Sequence, residues 1–238
     1  MMRAFFFDID DTLYDLQWPW KMALHDVFDG SYDEIIDRFF RENKKHTDAL
    51  FPAYSAGRIG RDDYYCLRSE RAFADCGVSI TRGEALEIYR QYRVYQGQLK
   101  MSEEMKNLMR TLSAQGVMTG IVSNSVSDTQ WKKIETMQIP AYIPREHIIV
   151  SGDVGCEKPD PKIFRLTERR FGLEDAERWY VGDTWQNDIV GAFRAGWHTV
   201  WINRRHLEIP QGDVQADYIV EDEPGMIRLI SELVSNSG

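Results

Sequence analysis

The stretch Arg3-Ala4-Phe5-Phe6-Phe7-Asp8-Ile9-Asp10-Asp11-Thr12-Leu13 decides the fold. An apolar run without alternation stops at a carboxylate, and a second carboxylate follows two residues later. Such a run reads as a strand covered on both faces, as in a parallel sheet under helices. In open sheets of that kind chemistry sits in the crevice beyond the carboxyl ends of the strands, where Asp8 and Asp10 fall. Two carboxylates set together there repel unless a cation lies between them. The turn is therefore expected to hold a hard divalent ion, Mg2+.

Outward from this turn the composition changes. Residues 15–98 carry helical patterns and no convincing strand, with Ile35, Ile36, Phe39 and Phe40 on one amphipathic face. Leu86, Tyr89 and Tyr92-Arg93 mark a second face, and Gly57, Gly60 and Gly77 read as breaks between helices. Strands then alternate with helices. Strands are expected at Val117–Val122, His147–Val150, Trp179–Val181, His198–Ile202 and Tyr218–Val220. Ser102 and Asp160-Pro161 are N-terminal helix signals, Gly116 and Gly172 are stops, and further helices run from Asp128 to Met137, to Gly196, and from Gly225 to Val234. The fold class is α/β: a Rossmann-like parallel sheet core flanked by helices, 1–14 with 99–238, and a smaller all-helical domain, 15–98.

Four strand ends carry chemistry. They are Asp8-x-Asp10-x-Thr12, Ser123-Asn124, Lys158-Pro159 on a loop entering a helix, and Gly182-Asp183-x-x-x-x-Asp188. Taken singly, each is an ordinary turn, cap or surface residue. Parallel strands gather their carboxyl ends along one edge, so the four become neighbours. Carboxylates, one hydroxyl and one ammonium suit metal-assisted phosphoryl transfer. Asp11, Asp15, Asp153 and Asp160 read as solvated turn or cap residues. Tyr14, Trp18, Trp20, Phe28 and Trp185 are read as packing, with a pocket wall as the alternative.

These four segments, Phe-Phe-Phe-Asp8-Ile-Asp10-Asp-Thr12-Leu, Ile-Val-Ser123-Asn124, Glu-Lys158-Pro159-Asp-Pro and Val-Gly-Asp183-Thr-Trp-Gln-Asn-Asp188, resemble in order the four motifs of the haloacid dehalogenase-like hydrolases. The resemblance implies that 15–98 is a helical cap. It implies a catalytic set of Asp8 as nucleophile, Asp10 as acid and base, Ser123 and Lys158. It further implies substrate contacts from Ser123, Asn124 and Lys158, and Mg2+ ligands from Asp8, the Asp10 carbonyl, Asp183 and Asp188. The expected function is hydrolysis of a small phosphomonoester, a sugar phosphate, nucleotide or similar metabolite, through an aspartyl-phosphate. Phosphomutase, 2-haloacid dehalogenase and non-catalytic binding protein are the alternatives. Asp10 speaks against the dehalogenase, because a halide leaves without a proton. A phosphonatase would need a cap lysine, and Lys21, Lys44 and Lys45 read better as exposed charges.

Composition excludes other classes. Hydrophobic residues make up 43% and charged residues 28%, and the net charge is -9, against a nucleic-acid or anionic-membrane partner. Lys44-Lys45, Lys132-Lys133, Arg169-Arg170 and Arg204-Arg205 are expected to be solvated pairs. Cys66, Cys76 and Cys156 have no C-x-x-C spacing and read as free thiols of a reducing compartment. The histidines show no zinc spacing. No leader or membrane span is apparent, so a soluble cytoplasmic protein is expected.

Overall fold

A computed structural model describes residues 2–235, the Ser55 side chain excepted. The chain falls into two compact units, Met1–Asp15 with Lys100–Gly238, and Leu16–Leu99.

In the first unit the apolar run is β1 (Arg3–Phe7), with Ala4 to Phe7 fully buried. It pairs in parallel with β2 (Met118–Ser123) on one side and β4 (Glu177–Gly182) on the other. With β3 (Ile148–Val150), β5 (His198–Ile202) and β6 (Tyr218–Val220) they form one sheet in the order β3-β2-β1-β4-β5-β6. The chain thus reverses direction of travel at β1, the switch point of a doubly wound sheet, and the open crevice lies beyond Phe7, Ser123 and Gly182. Phe6 sits opposite Gly120 and Tyr180 on its neighbours. Its ring fills the space above Gly120, where a Cβ would collide with it. One face of the sheet packs Phe6, Val122, Tyr180 and Trp197 against Ile163 and Phe164.

The helices of this unit start and stop on local signals. Helix Glu103–Ala114 is capped by Ser102, whose hydroxyl accepts from Met105 N, and it ends before Gly116 at φ 72°. Helix Ser127–Thr136 follows β2, and the short helix Ser151–Val154 follows β3. Helix Pro161–Phe171 is capped by Asp160 and closed by Gly172 at φ 63°. After β4 the expected single helix is instead one π-helical stretch, Trp185–Val190, running into Gly191–Arg194. A last helix spans Glu223–Ser235.

The second unit contains the α-helices α1 (Trp18–Phe28), α2 (Ile36–Ser55), α3 (Arg61–Asp75) and α4 (Arg82–Gln96), with a 3-10 turn at Asp33–Ile35 before α2. Thr81 and Glu84 form a reciprocal capping box at the start of α4. Its own core joins Trp20, Phe39, Phe73, Ile88 and Tyr92. The stripe read on α2 is inside: Ile36, Phe39 and Phe40 are buried. On α4 the buried stripe is Ala85, Ile88 and Tyr92, while Leu86 and Tyr89 lie half-buried beside it. Small Ala85 allows close approach there, which side-chain size alone does not signal. Trp20 and Phe28 pack within this unit, and Trp18 packs edge-on against Tyr95. The cysteines are free thiols, and no helix among the described residues is long and apolar enough to cross a membrane.

Candidate active site

Asp8 follows β1 directly, and its N–H donates to the Val181 carbonyl (2.9 Å), which carries the sheet pairing one residue past the strand. Lys158 Nζ reaches it from the loop before helix Pro161–Phe171 and donates to Asp8 Oδ1 (2.8 Å), Asp188 Oδ1 (2.7 Å) and the Tyr180 hydroxyl (2.8 Å). The Lys158 side chain is 3% exposed. An ammonium has three N–H bonds, and all three are engaged. Tyr180 passes the chain on, donating to the Val122 carbonyl (2.6 Å).

Asp188 is buried at the π-helical stretch after β4. Its Oδ2 accepts from Thr184 N (2.8 Å), and Gly182 has no room for a Cβ because the Asp188 carboxyl occupies that space. Asp183, half-buried, has its carbonyl fixed by Trp201 Nε1 (2.8 Å) and accepts on Oδ1 from the Thr184 hydroxyl (3.3 Å). Carboxylate oxygens of Asp8, Asp183 and Asp188 lie within 4.8 Å of one another. Three carboxylates against one ammonium leave two negative charges, which fits one hard divalent cation with oxygen ligands.

The electrostatics follow from burial. Desolvation pushes the Asp8 carboxyl up to about 6; Lys158 opposes this, and Asp188 and Asp10 add to it. Burial alone would lower Lys158, but Asp188 and Asp8 outweigh it and hold the ammonium well above its ordinary value. A cation beside Asp8 would favour its ionised form and oppose the upward shift of its carboxyl.

Asp10 stands apart from that cluster. Lys133 Nζ donates to both of its oxygens (2.7 and 2.8 Å), Gln130 Nε2 donates to Oδ2 (3.3 Å), and the Tyr14 hydroxyl donates to Oδ1. Burial would raise this carboxyl, yet the Lys133 charge and the hydrogen bonds from Lys133, Tyr14 and Gln130 hold it below the usual carboxylate range. Ser123, buried at the end of β2, accepts on its hydroxyl from the same Gln130 amide (2.9 Å). Asn124, read as a substrate contact, has its side-chain amide committed to the main chain of Lys158, accepting from Lys158 N (2.9 Å) and donating to Lys158 O (2.7 Å). It thereby ties the second segment to the third.

Several expectations change. Lys132 is exposed, but Lys133 is not a solvated partner to it: its side chain is 15% exposed and paired with Asp10. Arg204 and Arg205 also face inward. Arg204 donates to the Asp11 and Thr12 carbonyls (2.9 and 3.2 Å), and Arg205 bridges Asp11 and Asp15 (2.5 Å each). Asp11 is therefore a buried ion-paired residue at φ 55°, not a solvated one. Asp160 is the helix cap read from the sequence, whereas Asp153 accepts from Trp131 Nε1 (2.8 Å). Trp185 packs edge-on against Trp201, and the buried Thr12 hydroxyl has no hydrogen-bond partner among the described residues. Sequence reasoning missed Gln130, Lys133, Tyr180 and the Asp10 contact of Tyr14. The readable signal was a glutamine at Gln130, four residues before Ile134 on the buried face of its helix.

Acidic groups and the buried Lys158 thus converge along the carboxyl edge of a doubly wound α/β sheet. The chain matches the family model of haloacid dehalogenase-like hydrolase over residues 2–196, and it belongs to that family. It is 34% identical to the phosphoserine phosphatase of Thermus thermophilus, covering 85% of this chain and 89% of that one. It is 26% identical to the glyceraldehyde 3-phosphate phosphatase of Pyrococcus furiosus, covering 96% and 93%. Its fold is like that of the Bacillus subtilis HAD-hydrolase YfnB solved with magnesium, at TM-score 0.67 and 24% identity, covering 98% of each chain.

Proposed function

We propose that the protein is a Mg2+-dependent phosphatase that hydrolyses a small phosphomonoester through an aspartyl-phosphate on Asp8. The observation that carries this reading is the separation of two kinds of carboxylate. Asp8, Asp183 and Asp188 cluster around one point, while Asp10, two residues from Asp8, is held by its own donors. One group is arranged for a cation and a nucleophile, the other for proton transfer. The phosphatase names of the two curated relatives support the same reading.

Asp8, Asp183 and Asp188, with the Asp10 carbonyl, would hold Mg2+, which when bound offsets the charge of the incoming phosphoryl group. An Asp8 oxygen attacks phosphorus, and the bond to the leaving oxygen breaks as the protonated form of Asp10, the minor form beside Lys133, gives that oxygen its proton. Water then attacks the aspartyl-phosphate, Asp10 takes a proton from it, and inorganic phosphate leaves with Asp8 restored. Ser123 and Lys158 bind phosphoryl oxygens, Lys158 exchanging one of its three acceptors to do so. Asn124 contributes through its main-chain N–H and by fixing the Lys158 loop. The helical unit takes the part of the family's cap.

The test is phosphate release from a panel of sugar phosphates, nucleotides and organic acid phosphates, including phosphoserine and glyceraldehyde 3-phosphate. Activity is expected with Mg2+, lost on chelation and regained on adding Mg2+ back. Asp8→Asn should lower kcat by about 10⁴-fold or more, since nucleophile removal in covalent hydrolases costs that much or beyond. A panel with no turnover, or near-normal Asp8→Asn activity, overturns the assignment.

A further inference from the structure

Helix Ser127–Thr136 begins just after Ser123-Asn124 and sends two side chains, one turn apart, onto the loop that follows β1. Lys133 spans both oxygens of Asp10, and Gln130 joins Asp10 to Ser123 with the two N–H bonds of one amide. Gln130 is fully buried, and its Oε1 has no donor among the described residues. A buried acceptor left unmet costs about 1–3 kcal/mol, so packing alone does not favour glutamine here over methionine or leucine. Ile134 is the buried apolar residue of the helix, and Met137 and Ile139 continue the buried face past its end.

Resting on the phosphatase reading, we propose that Lys133 and Gln130 are positioning residues that fix the Asp10 carboxyl in the one orientation that serves the leaving group. An aspartate at the end of a loop has three staggered χ1 wells, and only one aims its oxygens at a given point. Three donors from two separate segments, Tyr14 on one side and Lys133 with Gln130 on the other, select that well before substrate arrives. The Lys133–Asp10 contact differs from a surface ion pair, which contributes little, because both oxygens are held and a buried amide buttresses the second. The shared Gln130 amide also sets the distance between the proton donor, Asp10, and Ser123.

The experiment compares two phosphomonoesters in single turnover with enzyme in excess, following release of the leaving group. One is the best alkyl phosphate of the panel, whose alkoxide must be protonated; the other is p-nitrophenyl phosphate, whose phenolate leaves without a proton. Lys133→Met should slow release from the alkyl phosphate by about 10–100-fold, the scale of a misplaced catalytic group, and by about tenfold or more beyond its effect on p-nitrophenyl phosphate. In a parallel steady-state assay KM for the alkyl phosphate should change less than about threefold, and in single turnover Lys133→Arg should restore most of the rate. Asp10→Asn gives the reference pattern, and adding Lys133→Met to it should cost little more, because the two share one function. Lys133→Gln, which keeps a donor and the side-chain shape, gives the same comparison if the methionine variant fails to fold. Equal losses on the two substrates, a loss confined to KM, or no loss overturns the inference. A wild-type enzyme inactive on every phosphomonoester instead overturns the functional reading. Discrimination by Asp10→Asn without discrimination by Lys133→Met overturns the positioning role alone.

Discussion

In its proposed role Asp8 faces two opposed demands: it would have to lie in a dry site to attack phosphorus, and be ionised to do so. Without a cation, burial pushes its carboxyl up to about 6. A proton and Mg2+ then compete for the same oxygens, so affinity for Mg2+ falls as pH falls through 6 and levels off above it. Calorimetric titration at pH 5, 6 and 7.5 should give roughly tenfold weaker binding per pH unit below 6, the slope of a single competing proton. A flat profile would mean that no proton on Asp8 competes with the ion in this range. The gathering of Asp8, Asp183 and Asp188 was readable beforehand, because each follows an apolar strand and parallel strands end on one edge. The partner of Asp10 was not: Lys133 lies 123 residues away, and a lysine beside Lys132 on a helix gives no hint of which one turns inward. Arg205, 194 residues from Asp11, was hidden for the same reason.

Among the elements, β1 depends on what its neighbours leave out. Phe6 is fully buried, and its ring lies where a side chain at position 120 on β2 would stand. Gly120→Ala forces that ring off its rotamer or parts the strands, at a cost of about 1–3 kcal/mol, the usual range for overpacking a core. Thermal unfolding of the metal-free variant should show a midpoint lower by several degrees, and an unchanged midpoint would deny the contact. The strands and most helices were legible from unbroken apolar runs and from caps such as Ser102 and Asp160. The π-helical turn at Trp185–Val190 was not, since its sequence carries no periodicity of its own. Its shape follows from Asp188, which folds its carboxyl back onto Thr184 N and the bare Cα of Gly182.

At the scale of the whole molecule, each of the two units carries a hydrophobic core of its own. Phe73 is fully buried in the helical core, against Phe28, Tyr32 and Phe39. Phe73→Ala should cost that core about 3–5 kcal/mol. Hydrogen exchange should then quicken across Leu16–Leu99, while Arg3–Phe7, Met118–Ser123 and Glu177–Gly182 keep their protection. Loss of protection throughout would show that the two units unfold together. All the acidic and basic side chains assigned to the reaction, from Asp8 to Asp188, belong to Met1–Asp15 and Lys100–Gly238. Recombination at the codons of Asp15 and Leu99 would therefore exchange the helical insert as one cassette, leaving the reacting groups in their ancestral context. Grafting the insert of a related enzyme between those two joints is a route to a changed substrate repertoire that never edits a reacting side chain.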